Sequence, residues 1–340
     1  MTIVEIAREA GVSIATVSRV LNNGPVSSEK RAKVEAVITK YKFSPSVQAR
    51  SMVSRQSDAI GLITHGISNH FNLDFIEVVE RRYSEMDFLL YVCICQREKQ
   101  RENEERYLQN LVSRQVNGII LHDATPENYE SGLIQHIAQQ VPLVVVHSLP
   151  SCEGVNSVGV DQEMGMKRVM EHLLALGHRD ILFVRGNIGY SFDTKEVVWR
   201  NCLKLAGVTP CDDNIIVIPE GNSEFGILET EESVKGFLKS RSKVPTAIFG
   251  CNDIMATGAL NALRSMNLRV PEDVSLIGHD NTILAASGRF TSVDLKTPSV
   301  GHAAIDLLSY AMNGVDKEPR RVIISPEIIL RNSTGPARIG

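Results

Sequence analysis

The chain has 340 residues, 43% hydrophobic and 22% charged, with a net charge of −4, so it can bury more than one core. Its length gives a prior of about two or three domains. With no run of about 18 apolar residues and no charged-then-apolar leader ending in small residues, neither a membrane span nor a secretory signal is expected. Mild overall acidity argues against nucleic-acid binding along the whole chain, yet it hides an asymmetry. Up to residue 57 the basic residues Arg8, Arg19, Lys30, Arg31, Lys33, Lys40, Lys42, Arg50 and Arg55 face only Glu5, Glu9, Glu29 and Glu35. A basic head on an acidic, solubilising body fits a compact DNA-binding module.

Thr2 with Glu5 reads as a capping box, and Ile3, Ile6, Ala7 and Ala10 supply the inner stripe of a first helix. Gly11 suits the positive-φ position of a tight turn, and Ser13 caps the next helix by accepting from a backbone N–H near Thr16. In that helix Val17, Val20 and Leu21 recur at i, i+3, i+4 and pack inward, leaving Ile14, Ala15, Ser18 and Arg19 outward. So small an outward face, so close to a helix start, fits a DNA major groove; an ordinary helical hairpin would share the turn and the period. Asn22-Asn23-Gly24-Pro25 ends the helix, and Ser27 caps a third with the stripe Val34, Val37, Ile38 and Tyr41. Residues 1–44 thus make a helix-turn-helix head. In 45–57, Pro45 starts a helix of about two turns, too short to be stable alone in water.

From Asp58 apolar runs alternate with amphipathic segments. Buried strands are predicted at 59–64, 88–95, 118–121 and 143–147, with helices at 73–86, 99–114 and 128–140. After Asp161 the plan repeats: helices at 162–176, 194–206, 224–239 and 253–266, strands at 180–185, 214–218, 246–250 and 273–278. This βαβ arithmetic implies two α/β Rossmann-like parallel-sheet lobes, with a ligand crevice between the carboxyl ends of their strands. The six cysteines (93, 95, 152, 202, 211, 251) read as free thiols in a reducing compartment. Gly177-His178 sits just past a helix end, where Gly terminates and His offsets the dipole. There is no His-x-x-x-His on a plausible helix, no Cys-x-x-Cys, no Gly-x-Ser-x-Gly and no phosphate loop, so no enzyme activity, cofactor or metal is expected.

The wording Val12-Ser13-Ile14-Ala15-Thr16-Val17-Ser18-Arg19-Val20-Leu21-Asn22 closely resembles the signature of LacI/GalR-family bacterial transcription repressors. The likeness continues through Ile60-Gly61-Leu62-Ile63, Val116-Asn117-Gly118-Ile119-Ile120-Leu121, Val158-Gly159-Val160-Asp161, Leu176-Gly177-His178-Arg179, Asn252-Asp253-Ile254-Met255-Ala256 and Val274-Ser275-Leu276-Ile277-Gly278-His279-Asp280-Asn281. It implies a periplasmic-binding-protein-like (type I) body, with lobe 1 at 58–160 plus 296–321 and lobe 2 at 161–295 plus 322–340. Segment 45–57 becomes a hinge helix that orders on DNA and wedges an apolar side chain into the minor groove. Met52 stands at the wedge position, where leucine is usual; its longer, more flexible thioether chain leaves the degree of kinking open, and packing on the body is the alternative.

The resemblance implies a cytoplasmic, homodimeric repressor of a catabolic or transport operon, bound to a pseudo-palindromic operator and controlled by a small-molecule effector. Ile14, Ala15 and Arg19 are its base readers, Arg19 as the guanine partner. Thr2, Ser13, Thr16, Ser18, Asn22, Ala49, Arg50 and Met52 are its phosphate or minor-groove contacts. Phe71, Asn72, Tyr190, Phe192, Glu196 and Asp280 are its effector contacts. Glu196 stands where family members commonly carry arginine, which takes support from anionic effectors. Tyr190, Phe192 and Trp199 offer aromatic surface to a sugar or a nucleoside, although Trp199 reads equally well as core. The chain stops near Asn332 without a heptad repeat, so a dimer is expected rather than a helix-tethered tetramer. A solute-binding transport component would share the body but not need residues 1–57, and an α/β enzyme would need a catalytic cluster.

Overall fold

The computed structural model describes residues 1–21, 24–41, 43, 58–147, 152–187, 189–219, 221–223, 225–314 and 318–338. They form two compact units, Met1–Asp58 and Ala59–Gly340. The expected contacts Asn22, Ala49, Arg50 and Met52 lie outside the described residues.

The first unit is built from α1 (Ile3–Ala10), α2 (Ile14–Leu21) and α3 (Ser28–Tyr41). Thr2 and Glu5 close the capping box reciprocally, Thr2 N to Glu5 Oε2 at 2.7 Å and Glu5 N to Thr2 Oγ1 at 3.3 Å. Gly11 takes φ 64°, a left-handed value that costs a residue without Cβ little, and its N–H returns to the last carbonyls of α1. Ile6, Ala7, Ala10, Val17, Val20, Val34 and Val37 form the core. Tyr41 departs from its predicted inward place. It is exposed, and its hydroxyl donates to Glu9 Oε1 (2.8 Å), which also accepts from Lys40 Nζ (2.8 Å), tying α3 to α1. A phenol needs a partner for its hydroxyl, and the end of α3 supplies one at the surface.

The second unit holds two six-stranded sheets. In the first, β1 (Ala59–Thr64), β2 (Leu89–Ile94), β3 (Gly118–His122), β4 (Leu143–Val146), β5 (Asn156–Val160) and β11 (Arg321–Ile324) are all parallel, in the order β11-β5-β4-β3-β1-β2. In the second, β6 (Ile181–Gly186), β7 (Ile215–Ile218), β8 (Ala247–Gly250), β9 (Ser275–Asp280), β10 (Thr291–Asp294) and β12 (Glu327–Ile329) run in the order β12-β10-β9-β8-β6-β7, with only β12 antiparallel. Helices α4 (His70–Glu85) and α5 (Gln100–Ser113) cross over in the first lobe; α8 (Gln162–Ala175), α9 (Tyr190–Leu205), α10 (Gly226–Ser240) and α11 (Asp253–Ser265) do so in the second.

Three expectations change. The helix expected at 128–140 is two short ones, α6 (Pro126–Glu130) and α7 (Leu133–Ala138), because Gly132 between them turns left-handed at φ 80°. Strand β2, expected to be buried, lies at a sheet edge with Leu89, Val92 and Ile94 exposed. The break expected after 321 falls later, since β11 pairs with β5 from Arg321↔Ser157 through Ile324↔Val160 and the chain stays in the first sheet to Ile324. The edge of β5 would otherwise leave backbone groups unpaired, and Asp161 N bonds Ile324 O at 3.0 Å.

The structure also adds elements beyond the predicted series: β5, β10, β11, β12, α12 (Ile283–Gly288) and α13 (Thr297–Met312), the last packed on β3, β4, β5 and α4. His178 is buried after Gly177 and its Nε2 pairs with Gly335 O (3.0 Å), holding the carboxyl-terminal segment.

Candidate DNA interface and effector cleft

In the first unit, burial of Val17 and Val20 fixes the rotation of α2 and leaves Ile14 (51% exposed), Ala15 and Arg19 outward. Ser13 Oγ accepts from Thr16 N (3.2 Å) and shares a hydrogen bond with Thr16 Oγ1 (2.9 Å), so both hydroxyls sit at the amino end of α2 beside its free N–H groups. Ser18 is half-buried and Thr2 is exposed. Arg19 makes no ion pair among the described residues. A hollow lined by Arg8, Gly11, Ser13, Thr16 and Lys30 adjoins this helix start. Arg8 and Lys30 thereby join the candidate phosphate contacts; their place follows from the α1–α3 packing, which sequence spacing does not specify.

In the second unit the strand ends converge on a crevice between the lobes. At three of them a non-glycine residue turns left-handed: Asp123 (φ 59°) after β3, His147 (φ 66°) after β4, and Asp280 (φ 105°) ending β9. Such strain in ordinary residues is a mark of functional sites.

From the first lobe, Asn69 caps α4, its Oδ1 accepting from Phe71 N (3.1 Å), and its Nδ2 crosses to Asp280 Oδ2 (3.3 Å) in the second lobe. Phe71 is buried with its ring edge-on to His147, 5.0 Å between centroids. Phe75 stacks on His122 (4.8 Å), and the two imidazoles meet edge-on at 5.5 Å. Burial pushes both histidines down to about 3, so they are neutral, and the Nε2 of each is buried without a partner among the described residues. Asn72 is also buried, but one amide N–H is spent on Gly66 O (3.1 Å), closing the loop after β1.

From the second lobe, Tyr190 stands exposed at the rim of a cavity of about 260 Å³ that Thr194 and His147 also line. Phe192 is buried over Gly186, where a Cβ would come within 2.3 Å of its ring. Trp199 is fully buried, 5.5 Å from Phe183, and belongs to the core.

Glu196 does not stand as a free acid in the crevice. It bonds Arg185 Nη1, and its Oε1 accepts from Arg200 Nε at 2.9 Å. Burial opposes its charge, but these two guanidinium groups hold the carboxyl below its ordinary value.

The cation of this helix is Lys195, one residue earlier. It is 2% exposed, with Nζ 3.1 Å from Cys251 O and 5.9 Å from the centre of the Phe192 ring. Burial pushes Lys195 below the ordinary lysine value, while Cys251, Asp280 and Asp253 support its charge, and it acts in turn on His147 of the other lobe. Asp253 accepts from Thr282 N (2.6 Å), Thr282 Oγ1 (2.9 Å) and Ser292 Oγ (2.6 Å). Burial raises both carboxyls well above their ordinary value; the charge of Asp280 adds to the rise at Asp253, and that of Asp123 to the rise at Asp280, against Lys195 and the Asn69 hydrogen bond. Among the described residues no group of three His, Cys, Asp or Glu is placed to hold a metal, and no helix is long and apolar enough to cross a membrane.

The arrangement has relatives. Residues 2–46 match the profile described as bacterial regulatory proteins, lacI family, and residues 170–334 match that of a periplasmic binding protein-like domain. The HTH-type transcriptional regulator DegA of Bacillus subtilis (strain 168) is 31% identical over 340 residues, 98% of each chain. The chain belongs to the LacI family of bacterial regulators.

Catabolite control protein A of Priestia megaterium is also 31% identical, over 98% of this chain and 99% of its own. The Ribose operon repressor of Escherichia coli (strain K12) is 29% identical over 98% and 99%. A lac repressor dimer bound to operator and the anti-inducer ONPF shares the fold, with a TM-score of 0.86 at 24% identity over 98% and 99%. As a LacI-family protein the chain is a DNA-binding transcriptional regulator with an effector-binding domain. For a LacI-family cleft, the residues that sequence reading missed are His122, Asp123, His147, Lys195 and Asp253. The histidines and Asp123 had a signal in their position immediately at predicted strand ends. Lys195 had another, a charge inside the apolar stripe Phe192, Val198, Trp199.

Proposed function

We propose that this regulator is a homodimeric, cytoplasmic repressor of a catabolic or transport operon, released from or held on a pseudo-palindromic operator by a sugar-like effector bound between its two lobes. The observation that carries the DNA-reading half is the rotation of α2, which buries Val17 and Val20 and turns Ile14, Ala15 and Arg19 outward together. Ile14 and Ala15 meet apolar base edges, Arg19 forks onto a guanine, and Thr2, Ser13, Thr16 and Ser18 with Arg8 and Lys30 hold the backbone. Asn22, just past α2 in the sequence, and Ala49, Arg50 and Met52, in the 45–57 segment proposed to reach the minor groove, complete the proposed contacts. The repressor names among the relatives support the sign of regulation, and the ribose operon repressor supports a sugar-like effector. The full-length relatives named above are regulators rather than transport components or enzymes.

Selection of operator sites from random duplexes tests the assignment. Arg19→Ala is expected to cost about 1–3 kcal/mol of operator affinity and relax one symmetric base position. Unchanged sequence preference would remove Arg19 from the base readers. Lys30→Ala should instead weaken all sequences alike and reduce the slope of log affinity against log salt by about 1. A mobility-shift titration over salt reads this directly, and an unaltered slope would place Lys30 off the phosphates.

The effector half is proposed for Phe71, Asn72, Tyr190, Phe192 and Asp280, supported by the Asn69–Asp280 hydrogen bond between the lobes, by Phe71 against His147, and by Tyr190 and His147 lining one cavity. Within the crevice Phe192 acts as wall, and Asp280 is the acceptor for a ligand hydroxyl. The Asn69–Asp280 hydrogen bond joins the lobes directly, so a ligand that takes Asp280 for itself changes what holds the lobes at their present angle.

A further inference from the structure

The second lobe buries a lysine side chain, Lys195, beside the crevice. Lys195 has three N–H groups and spends one, on Cys251 O, while 2% exposed on a helix face it shares with Phe192 and Trp199. A charge buried with unfilled donors is costly, and packing gives no reason to keep one where an aliphatic side chain would fit. In the other lobe, His122 and His147 each keep a buried Nε2 without a partner among the described residues, and an uncharged imidazole can offer an N–H there. Glu196 is occupied by Arg185 and Arg200, and of the acids that act on Lys195, Asp253 is filled by Thr282 and Ser292 while burial disfavours the charge of both Asp253 and Asp280. Asp280 supplies a hydrogen-bond acceptor at the same strand ends.

We infer that the effector is a small polyhydroxylated carboxylate, an aldonic or uronic acid, whose carboxylate is taken by Lys195 and the imidazole N–H groups of His122 and His147 and whose hydroxyls donate to Asp280. The inference rests on the cleft being the effector site, as proposed above, and corrects the loss of anionic effectors expected from the missing arginine. A neutral sugar can accept from the ammonium through its hydroxyl oxygens but brings no opposite charge to it. A nucleoside base finds Tyr190 at the cavity rim but no second face to stack between, since Trp199 is core, Phe192 is buried over Gly186 and Phe71 meets His147 edge-on.

The test uses the full-length protein, with calorimetry and melting temperature measured against gluconate, galactonate and glucuronate, and against glucose, galactose and adenosine. At least one acid is expected to bind and raise the melting temperature, at least tenfold tighter than its parent sugar. Lys195→Met should weaken that acid by about 100-fold while leaving operator affinity in the absence of ligand unchanged, and Lys195→Arg should recover part of the loss. If Lys195→Met fails to fold, Lys195→Gln, which keeps length and a donor but not the charge, takes its place. Equal binding of parent sugar and acid, tighter binding of adenosine, silence of all three acids, or an unaltered acid affinity in the variant overturns the inference. Operator binding by the wild type, run alongside, separates these outcomes from failure of the regulator reading, which only the absence of a DNA shift would bring.

Discussion

Glu104→Ala is expected to cost about 3–5 kcal/mol of unfolding free energy, the range for removing one member of a buried polar group and stranding the rest. Glu104 is completely buried in α5 and accepts from four donors: His65 Nε2 at 2.9 Å, Thr125 N at 2.9 Å, Thr125 Oγ1 at 2.9 Å and Asn128 Nδ2 at 2.9 Å. Alanine leaves all four without an acceptor in a site water does not reach. Glu104→Gln keeps one carbonyl oxygen and turns an amide toward other donors, so it should fall between alanine and wild type. Urea unfolding of the three proteins checks the order, and a cost below about 1 kcal/mol for alanine would show that the cluster contributes little.

The consequence for function follows from where those donors sit. His65 follows the carboxyl end of β1 and opens the loop to Asn69, and Thr125 closes the short loop after β3 that holds Asp123. Glu104 thus fixes, from beneath, the two strand ends that present Asn69, Phe71 and His122 to the crevice. Its loss should loosen the first-lobe wall of the cleft before it affects the head, whose core of Ile6, Val17 and Val34 is separate.

Periodicity made the head legible almost to the residue, because a short helix with Val17 and Val20 inward has one orientation and a glycine turn has few conformations. The parallel strands were legible for the same reason, as apolar runs of the right length. Burial of β2 was misread because an apolar run does not say whether its strand lies inside a sheet or at its edge. The carboxyl-terminal strands escaped because β10 (Thr291-Ser292-Val293-Asp294), β11 (Arg321-Val322-Ile323-Ile324) and β12 (Glu327-Ile328-Ile329) carry polar or charged residues and do not form the unbroken apolar runs that marked the comparably short β4 and β7. In the cleft, alignment to family wording pointed to Glu196. One helical position, a rotation of about 100°, separates a residue spent on arginines from Lys195 facing the crevice, and only packing decides which of the two turns inward. Asn69 and Asp253 act through bonds to residues more than 25 positions away, Asp280 and Thr282 respectively, a pairing that no local pattern encodes.

Stability should fall as pH rises through the window from the ordinary carboxyl value of 3.8 to about 7, and Asp280→Asn should flatten that fall. Burial raises Asp280 and Asp253 in the folded protein, so over this window the native state binds more protons than the unfolded one. A native state that binds more protons loses stability as pH increases. Replacing Asp280 removes one such carboxyl and also the charge that helps raise Asp253, so both contributions shrink together. His122 and His147 act in the opposite sense, since burial keeps them neutral and the fold loses stability as pH drops below about 6.5 toward 3. They are common to both proteins, as is half-buried Asp273, which hydrogen bonds from Arg269 hold down at about 2. The wild-type minus variant difference therefore isolates the carboxyl pair. Denaturant unfolding at several pH values between 4 and 7 should show that difference moving against the wild type by at most about 1.4 kcal/mol per pH unit for each proton involved. A difference that stays constant with pH would mean that Asp280 is ionised throughout, with Lys195 as its full counter-charge. In that case the ammonium would already be satisfied without a ligand, and the stability titration would bear on effector chemistry as directly as a binding measurement.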